Sequence, residues 1–294
     1  MVRIGARGWR RLGAALVAAL LALIATGWVV TLALSRPDRA FIGAAPAELH
    51  ARDVAFRSRS GAMLRGWYIE GSPHAGAVAL LHGVHANRLA MVGRARLLAA
   101  AGCSVLLFDF QAHGESEGDA ITFGYRERLD VLAAVDYLRA VAPGNRIGVV
   151  GVSMGGAATL LAASDLHVDA LVIEQVYPTI EEALDNRLRL YLGPAGALLS
   201  PMLAREMEFH LGLDAARLRP IDHIRDVHVP LLILAGGSDR HTTLAQSRML
   251  FAAASEPKQL WIIPGAGHVD LQTFADEEYA RRVVAFMRPL LVTK

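Results

Sequence analysis

Ile147-Gly148-Val149-Val150-Gly151-Val152-Ser153-Met154-Gly155-Gly156 decides the fold. Its first six residues form a short apolar run, the pattern of a strand buried on both faces, and helical spacing begins just after Ser153. A strand that turns into a helix within one residue leaves no room for bulk on either side of the turn. Gly151 and Gly155, two residues before and after Ser153, meet that demand, and Gly156 lets the helix come closer still. Only such an elbow projects a serine hydroxyl clear of a sheet. Gly-x-Ser-x-Gly alone is weak evidence, because glycine and serine are common in any turn. Its place between a strand and a helix makes it strong.

Outward from the elbow the chain alternates strands and helices. Val54 to Ser58 and Leu64 to Glu70 flank Ser60-Gly61 as a hairpin. Apolar runs follow at Ala77 to Leu81, Ser104 to Phe108, Ile147 to Val152, Ala170 to Ile173, Leu231 to Leu234 and Leu260 to Ile263. Helical spacing appears at Arg88 to Ala101, Arg126 to Ala142, after Ser153, Leu244 to Ala254 and Glu277 to Leu290. The pattern predicts an α/β fold with an eight-stranded, mostly parallel, doubly wound sheet and right-handed crossovers. The interval from Gln175 to Arg225 is far longer than a usual connection of roughly 2 to 6 residues. With helical patterns at Glu181 to Tyr191 and Leu198 to Leu211, it reads as a helical cap inserted at about 176–225.

Serine is a poor nucleophile at its ordinary pKa and needs an imidazole, which in turn needs a carboxylate to orient it. The strand ending at Leu234 leads into Gly236-Gly237-Ser238-Asp239. The strand ending at Ile263 leads into Pro264-Gly265-Ala266-Gly267-His268. Both residues fall just past carboxyl ends of strands, where open α/β sheets collect ligands. Ser153, His268 and Asp239 are the expected nucleophile, base and orienting acid; Glu174, at the end of another strand, is the rival acid. Of the other ten histidines, His50, His74, His167, His210, His223 and His228 read as surface or cap positions. His113 reads as a turn brace, and His241 as a residue lining the site. A tetrahedral oxyanion also needs backbone donors. Val84, in His82-Gly83-Val84-His85 after the strand Ala77 to Leu81, and Met154 are the expected pair.

Together these blocks resemble the α/β-hydrolase superfamily: His82-Gly83, Asp109-x-x-x-His113-Gly114-x-Ser116, Gly151-x-Ser153-x-Gly155-Gly156 and Gly265-x-Gly267-His268. Its branch of membrane-anchored esterases and serine peptidase-like proteins is the most similar. The resemblance covers about residues 52–291. It implies the α/β-hydrolase fold, the same triad and oxyanion donors, and a structural role for Asp109 to Ser116. It also implies hydrolysis of a small-molecule acyl substrate, an ester or thioester, through an acyl-Ser153 intermediate without metal or organic cofactor. A peptidase or amidase, and a non-catalytic binding protein of the same fold, are the alternatives. An aspartate nucleophile, as in haloalkane and epoxide hydrolases, is disfavoured by the serine. The cap matches no substrate-defined subfamily; its residues Leu188, Leu190, Tyr191, Leu192, Leu198, Leu199, Met202 and Leu203 are candidates for an acyl pocket or for plain core.

The N-terminus adds a location. Leu12 to Leu34 contains no charged residue and exceeds the roughly 20 apolar residues that a membrane-spanning helix needs. It reads as one N-terminal transmembrane helix, residues 1–35; a cleaved secretory signal is the rival, with Ala33-Leu34-Ser35 as a loose cleavage site, but the stretch is longer than the h-region of such a signal. Arg3, Arg7, Arg10 and Arg11 precede it, against Arg36, Arg39 and Asp38 after it. The positive-inside rule then puts the N-terminus in the cytoplasm and the catalytic domain outside, periplasmic or extracellular. Residues 36–50, with Pro37 and Pro46, read as a tether, and residues 51–294 as the hydrolase domain. Composition excludes other classes. A net charge of +2, with arginines scattered, leaves no nucleic-acid footprint. The single cysteine, Cys103, rules out an intramolecular disulfide.

Overall fold

The computed structural model describes residues 6–293, with Arg3 of the N-terminal basic cluster and Lys294 lying outside them. The elements run, in chain order, α1 Ala6–Ser35, β1 Asp38–Arg39, β2 Arg52–Arg57, β3 Met63–Ile69, β4 Ala77–Leu81, α2 Val92–Ala100, β5 Ser104–Phe108, β6 His113–Gly114, α3 Glu127–Val141, β7 Ile147–Val152 and α4 Met154–Leu161. They continue with β8 Ala170–Glu174, α5 Ile180–Leu192, α6 Ser200–Leu211, α7 Pro220–His223, β9 Leu231–Gly236, α8 Leu244–Ala253, β10 Lys258–Ile263 and α9 Leu271–Leu291.

Eight strands form one sheet in the order β10-β9-β8-β7-β4-β5-β3-β2. β3 runs antiparallel to both β2 and β5, and the other pairings are parallel. The apolar runs alternate between two cores, as a period of two requires. Ala77, Ala79, Leu81, Leu106, Phe108, Val149, Leu171 and Ile173 enter one core with residues of α3 and α4. Val78, Leu80, Val105, Leu107, Val150, Ala170 and Val172 enter the other with Leu98 of α2 and Tyr279, Val283 and Met287 of α9. Both faces of the sheet are therefore covered, which explains why these strands read as unbroken apolar runs.

From β4 the chain crosses to β5 on one side, whereas from β7 it crosses to β8 on the other. The loops that leave β4 and β7 therefore part company, and a crevice opens between adjacent carboxyl ends. Ser153 and the His82–His85 loop flank this switch point.

Residues 36–50 differ from a free tether. Asp38 and Arg39 pair with His113 and Gly114 in a two-stranded parallel sheet. Asp38 N donates to Ala112 O (2.8 Å), Ile121 N donates to Ser35 O (2.8 Å), and the Ile42 and Gly43 amides donate to Glu115 Oε1 (3.0 and 3.2 Å). Backbone amides that lie against the domain need partners, and this segment finds them on a distant turn. No local period announces such a pairing.

Candidate active site

The elbow has the geometry that its glycines imply. Ser153 sits at φ 49°, ψ −111°, a conformation that L-residues rarely adopt and that persists only where neighbours enforce it. A Cβ on Gly151 would stand 2.7 Å from Gly156 Cα, and one on Gly155 would stand 2.6 Å from Leu81 O. The helix α4 therefore starts in contact with the end of β4, and its first amide, Met154 N–H, belongs to the unpaired donors of a helix N-terminus. Val84, Met154 and Ser153 line one cavity together.

Asp239 and His268 meet across two loops. His268 Nδ1 lies 2.8 Å from Asp239 Oδ2. The carboxylate is saturated: Oδ1 accepts from the amides of His241 (2.7 Å) and Thr242 (3.0 Å), and Oδ2 from Gln175 Nε2 (3.0 Å) and Thr242 Oγ1 (3.0 Å). Burial alone would raise its pKa. The hydrogen bond and charge of His268, with the two backbone amides, outweigh burial and hold the carboxyl below its usual range. His268 is thus pinned through Nδ1, which leaves Nε2 to face the cleft that it shares with Ser153. No hydrogen bond joins Ser153 to His268 in this state. Such contacts are often long until a substrate tightens them.

The rival acid is committed elsewhere. Glu174 is fully buried and accepts from Arg94 Nε (2.9 Å), Arg94 Nη2 (2.7 Å) and the Tyr279 hydroxyl (2.5 Å). It does not reach His268. Two residues around the pair, Gln175 and Thr242, escaped the reading of the sequence, whereas His241 lines the site as expected. Gln175, at φ 52°, donates to both Asp239 and Gly267 O. Thr242 lies 3.0 Å from His268 Nδ1 as well as from Asp239. His241 stacks on His268, with ring centroids 5.2 Å apart and planes at 15°. The short Asp-x-x-Thr spacing was the one available signal for Thr242; Gln175 had none.

The His82–His85 loop is braced from behind. Phe110 N donates to His82 Nε2 (3.0 Å), so the ring proton sits on Nδ1 and donates to Gly83 O (2.7 Å). Full burial, helped by the nearby His113, pushes the His82 pKa down to about 3. An unfolded histidine titrates near 6.5, so the folded state binds fewer protons below that value. The stability that this provides is complete above about pH 6.5 and is lost as pH falls towards 3. A melting temperature measured across that window should decline in the wild type and decline less steeply in His82→Gln. His113 serves the same wall: its Nδ1 lies 2.9 Å from Gln111 O, and its Nε2 accepts from His85 N (3.4 Å). The turn Asp109 to Ser116 is held by Asp109, which accepts from the amides of Arg88 (2.8 Å) and Glu115 (2.9 Å) and pairs with the Arg88 guanidinium.

Two spaces meet at Ser153. A narrow cavity, lined almost entirely by apolar groups, extends from it past Phe123, Tyr177, Ile180, Leu184 and Met207. On the other side a wider, more polar cleft includes Gly83, Gln175, His241, His268 and Asp270. None of the eight cap residues singled out from sequence lines the apolar cavity. Leu203 is core, while Tyr191, Leu192 and Leu198 lie on the surface. The cavity instead takes the N-terminal turns of α5, through Ile180, Ala183 and Leu184, and Met207 of α6. Arg187 of α5 borders both spaces. Its Nη1 donates to Ala183 O (3.1 Å), and among the described residues it has no ion-pair partner. Among the described residues no cluster of three or more His, Cys, Asp or Glu is placed to hold a metal ion.

Residues 78–284 match the model of the alpha/beta hydrolase family. An uncharacterized protein of Mycobacterium tuberculosis (strain CDC 1551 / Oshkosh) is 32% identical, covering 86% of this chain and 88% of its own length. The alpha/beta hydrolase domain-containing protein WAV2 of Arabidopsis thaliana is 27% identical over 82% of this chain and 80% of that protein. Among solved structures, an esterase of Pyrococcus furiosus superposes with a TM-score of 0.73 at 23% identity, covering 88% of this chain and 98% of that one.

Proposed function

Because this chain belongs to the alpha/beta hydrolase family, we propose that it is a serine hydrolase cleaving a carboxylic ester or thioester through an acyl-serine intermediate. The reading rests on one arrangement: a strained serine at the junction of an apolar cavity and a polar cleft, facing a histidine whose far nitrogen is held by a buried carboxylate.

The acyl chain occupies the apolar cavity and the leaving group the polar cleft. Ser153 Oγ attacks the carbonyl carbon while His268 Nε2 takes its proton, and Asp239 stabilises the imidazolium that forms. The negative charge on the carbonyl oxygen is met by the Val84 and Met154 amides, which the braced loop and the helix terminus hold in position before the reaction begins. His268 then gives the proton to the departing alcohol or thiol. Water enters the cleft and attacks the acyl-Ser153 carbonyl while His268 Nε2 takes its proton; the bond to Ser153 Oγ then breaks, His268 returns the proton to Oγ, and the acid leaves. Given a panel of 4-nitrophenyl esters and dipeptide amides, the full-length protein should turn over the esters faster. Faster cleavage of the amides would replace esterase with peptidase.

Arg187 bears on the leaving group. An unpaired guanidinium between the two spaces favours esters with a negative group close to the scissile bond, since charge-assisted hydrogen bonds are the strong ones. Arg187→Met should raise KM for a carboxylate-bearing ester more than for its neutral isostere, shifting the ratio by about tenfold or more. An unchanged ratio would remove Arg187 from substrate recognition.

The helix Trp9–Ser35 is long and apolar enough to cross a membrane, with a mean hydropathy of 2.4. We read it as an uncleaved anchor, with Arg7, Arg10 and Arg11 on the cytoplasmic side. A reporter active only outside the cytoplasm, fused at the C-terminus, should be active; an inactive reporter would invert the topology.

A further inference from the structure

The apolar cavity is not closed by the hydrolase domain alone. Leu34, in the last turn of α1, forms part of its wall, in the same lining as Ser153, Phe123 and Met207. Leu34 holds that place because the end of α1 is docked twice. Gly27, Thr31 and Ser35, spaced four residues apart and all buried, present one narrow face to the cap. At Gly27 the approach is close enough that a Cβ would stand 2.3 Å from Glu206 of α6. Trp28 flanks that contact, with its ring centroid 5.8 Å from Phe209 and 5.3 Å from His210. Immediately past the helix, Asp38–Arg39 pairs with His113–Gly114.

The rest of α1 leaves the domain with its apolar side chains uncovered, from Leu12 through Ile24. The charge-free part of that free stretch, Leu12 to Thr26, is 15 residues, or about 22 Å at 1.5 Å per residue, so a hydrocarbon core of about 30 Å also takes in the first docked turns. The docked segment therefore begins at the edge of the hydrocarbon core, and the end of α1 falls at the membrane surface. The cap carries its exposed apolar side chains on the helices that meet them: Phe209 beside Trp28 is 80% exposed, and Tyr191, Leu192 and Leu198 of the neighbouring segment are also exposed. Apolar and aromatic groups continuous with a spanning helix suit the interfacial layer of a bilayer, where amphipathic rings collect.

We propose that the substrate is a long-chain acyl ester or thioester resident in the membrane, and that its chain reaches Ser153 from the lipid phase through the cavity walled by α1, α5 and α6. The anchor is then part of the acyl site as well as an attachment. The proposal rests on the ester-hydrolase reading and sharpens its substrate class.

Full-length protein in phosphatidylcholine vesicles, assayed with 4-nitrophenyl esters from butyrate to palmitate, tests it. The wild type should prefer dodecanoate or longer to butyrate by at least about 100-fold in kcat/KM, since each buried methylene is worth roughly fourfold. Leu34→Trp, which fills the wall, should lower the long-to-short ratio at least about tenfold, and Leu34→Ala should move the optimum towards longer chains. At fixed ester and protein, added phosphatidylcholine should slow long-chain turnover in step with the falling mole fraction of ester in the bilayer. A chain-length profile that neither Leu34 variant moves would overturn the proposal. So would a rate that ignores surface dilution, which would leave the exposed cap face to another protein or a second copy of this chain. Failure of the wild type to turn over any ester, short or long, would instead overturn the ester-hydrolase reading itself.

Discussion

Replacing Ser153 by alanine should lower kcat on any ester that the wild type hydrolyses by about 10⁴- to 10⁶-fold and should abolish covalent labelling by a fluorophosphonate. The loss is large because Ser153 Oγ forms the bond on which the other groups act. The oxyanion donors remain, so a residue of catalysis over bulk water should persist in the alanine variant. The fold should survive, because the side chain is a single hydroxymethyl at the mouth of a cavity and the strained φ of 49° is imposed by the backbone around it. An alanine there still carries the strain, so neither a gain nor a collapse of stability is expected. Equal labelling of wild type and variant would place the nucleophile elsewhere.

The second large effect separates two carboxylates on neighbouring strands. Asp239→Asn should reduce kcat by about 10⁴-fold, because an amide offers His268 Nδ1 a donor as readily as an acceptor and holds the imidazole in the wrong tautomer. Its melting temperature should change far less than its rate. Glu174→Gln should do the opposite. It removes the buried charge facing Arg94, which keeps only the part-exposed Asp270 as an ionic partner, and breaking a buried pair in this way costs about 3 kcal/mol or more. The variant should melt lower and keep most of its kcat. Turnover measured beside thermal unfolding for the two variants distinguishes the roles, and a reversed pattern would move the acid to Glu174.

The contrast between these acids shows how far the sequence could be read. Both stand just past an apolar strand, Glu174 after Ile173 and Asp239 after Gly236-Gly237-Ser238, so position along the chain leaves both eligible. What separates them is which side chains arrive from elsewhere. Arg94 comes from α2 and Tyr279 from α9, and both converge on Glu174. His268 reaches Asp239 on a loop that Gln175 ties in place. Spacing along the chain carries no record of these long-range contacts.

The apolar cavity shows the same divide. Its wall combines the ends of α1 and β7, the loop at Phe123 and single residues of α5 and α6. Helical periodicity marks the apolar face of α5 and α6, but it does not say which turns along that face meet the cavity. The eight candidates from sequence, left open between acyl pocket and plain core, divide: Leu203 is core, Leu188 and Met202 pack against it, and Tyr191, Leu192 and Leu198 are exposed. For the three exposed residues, continuity with a membrane helix accounts for what burial does not.

By itself, the sequence determined the order of strands and helices, the elbow at Ser153 and the apolar N-terminal helix. Each of these follows from local physics: unbroken apolar runs where both faces of a strand are covered, glycines where backbones nearly touch, and a charge-free stretch long enough for a bilayer. Only the tertiary structure decided that Asp239 rather than Glu174 meets His268, that residues 38–39 pair with a distant turn, and that Leu34 faces the same cavity as Ser153. Those outcomes depend on contacts between residues far apart in the chain, which the fold creates by burying apolar surface and pairing the polar groups that burial would otherwise strand.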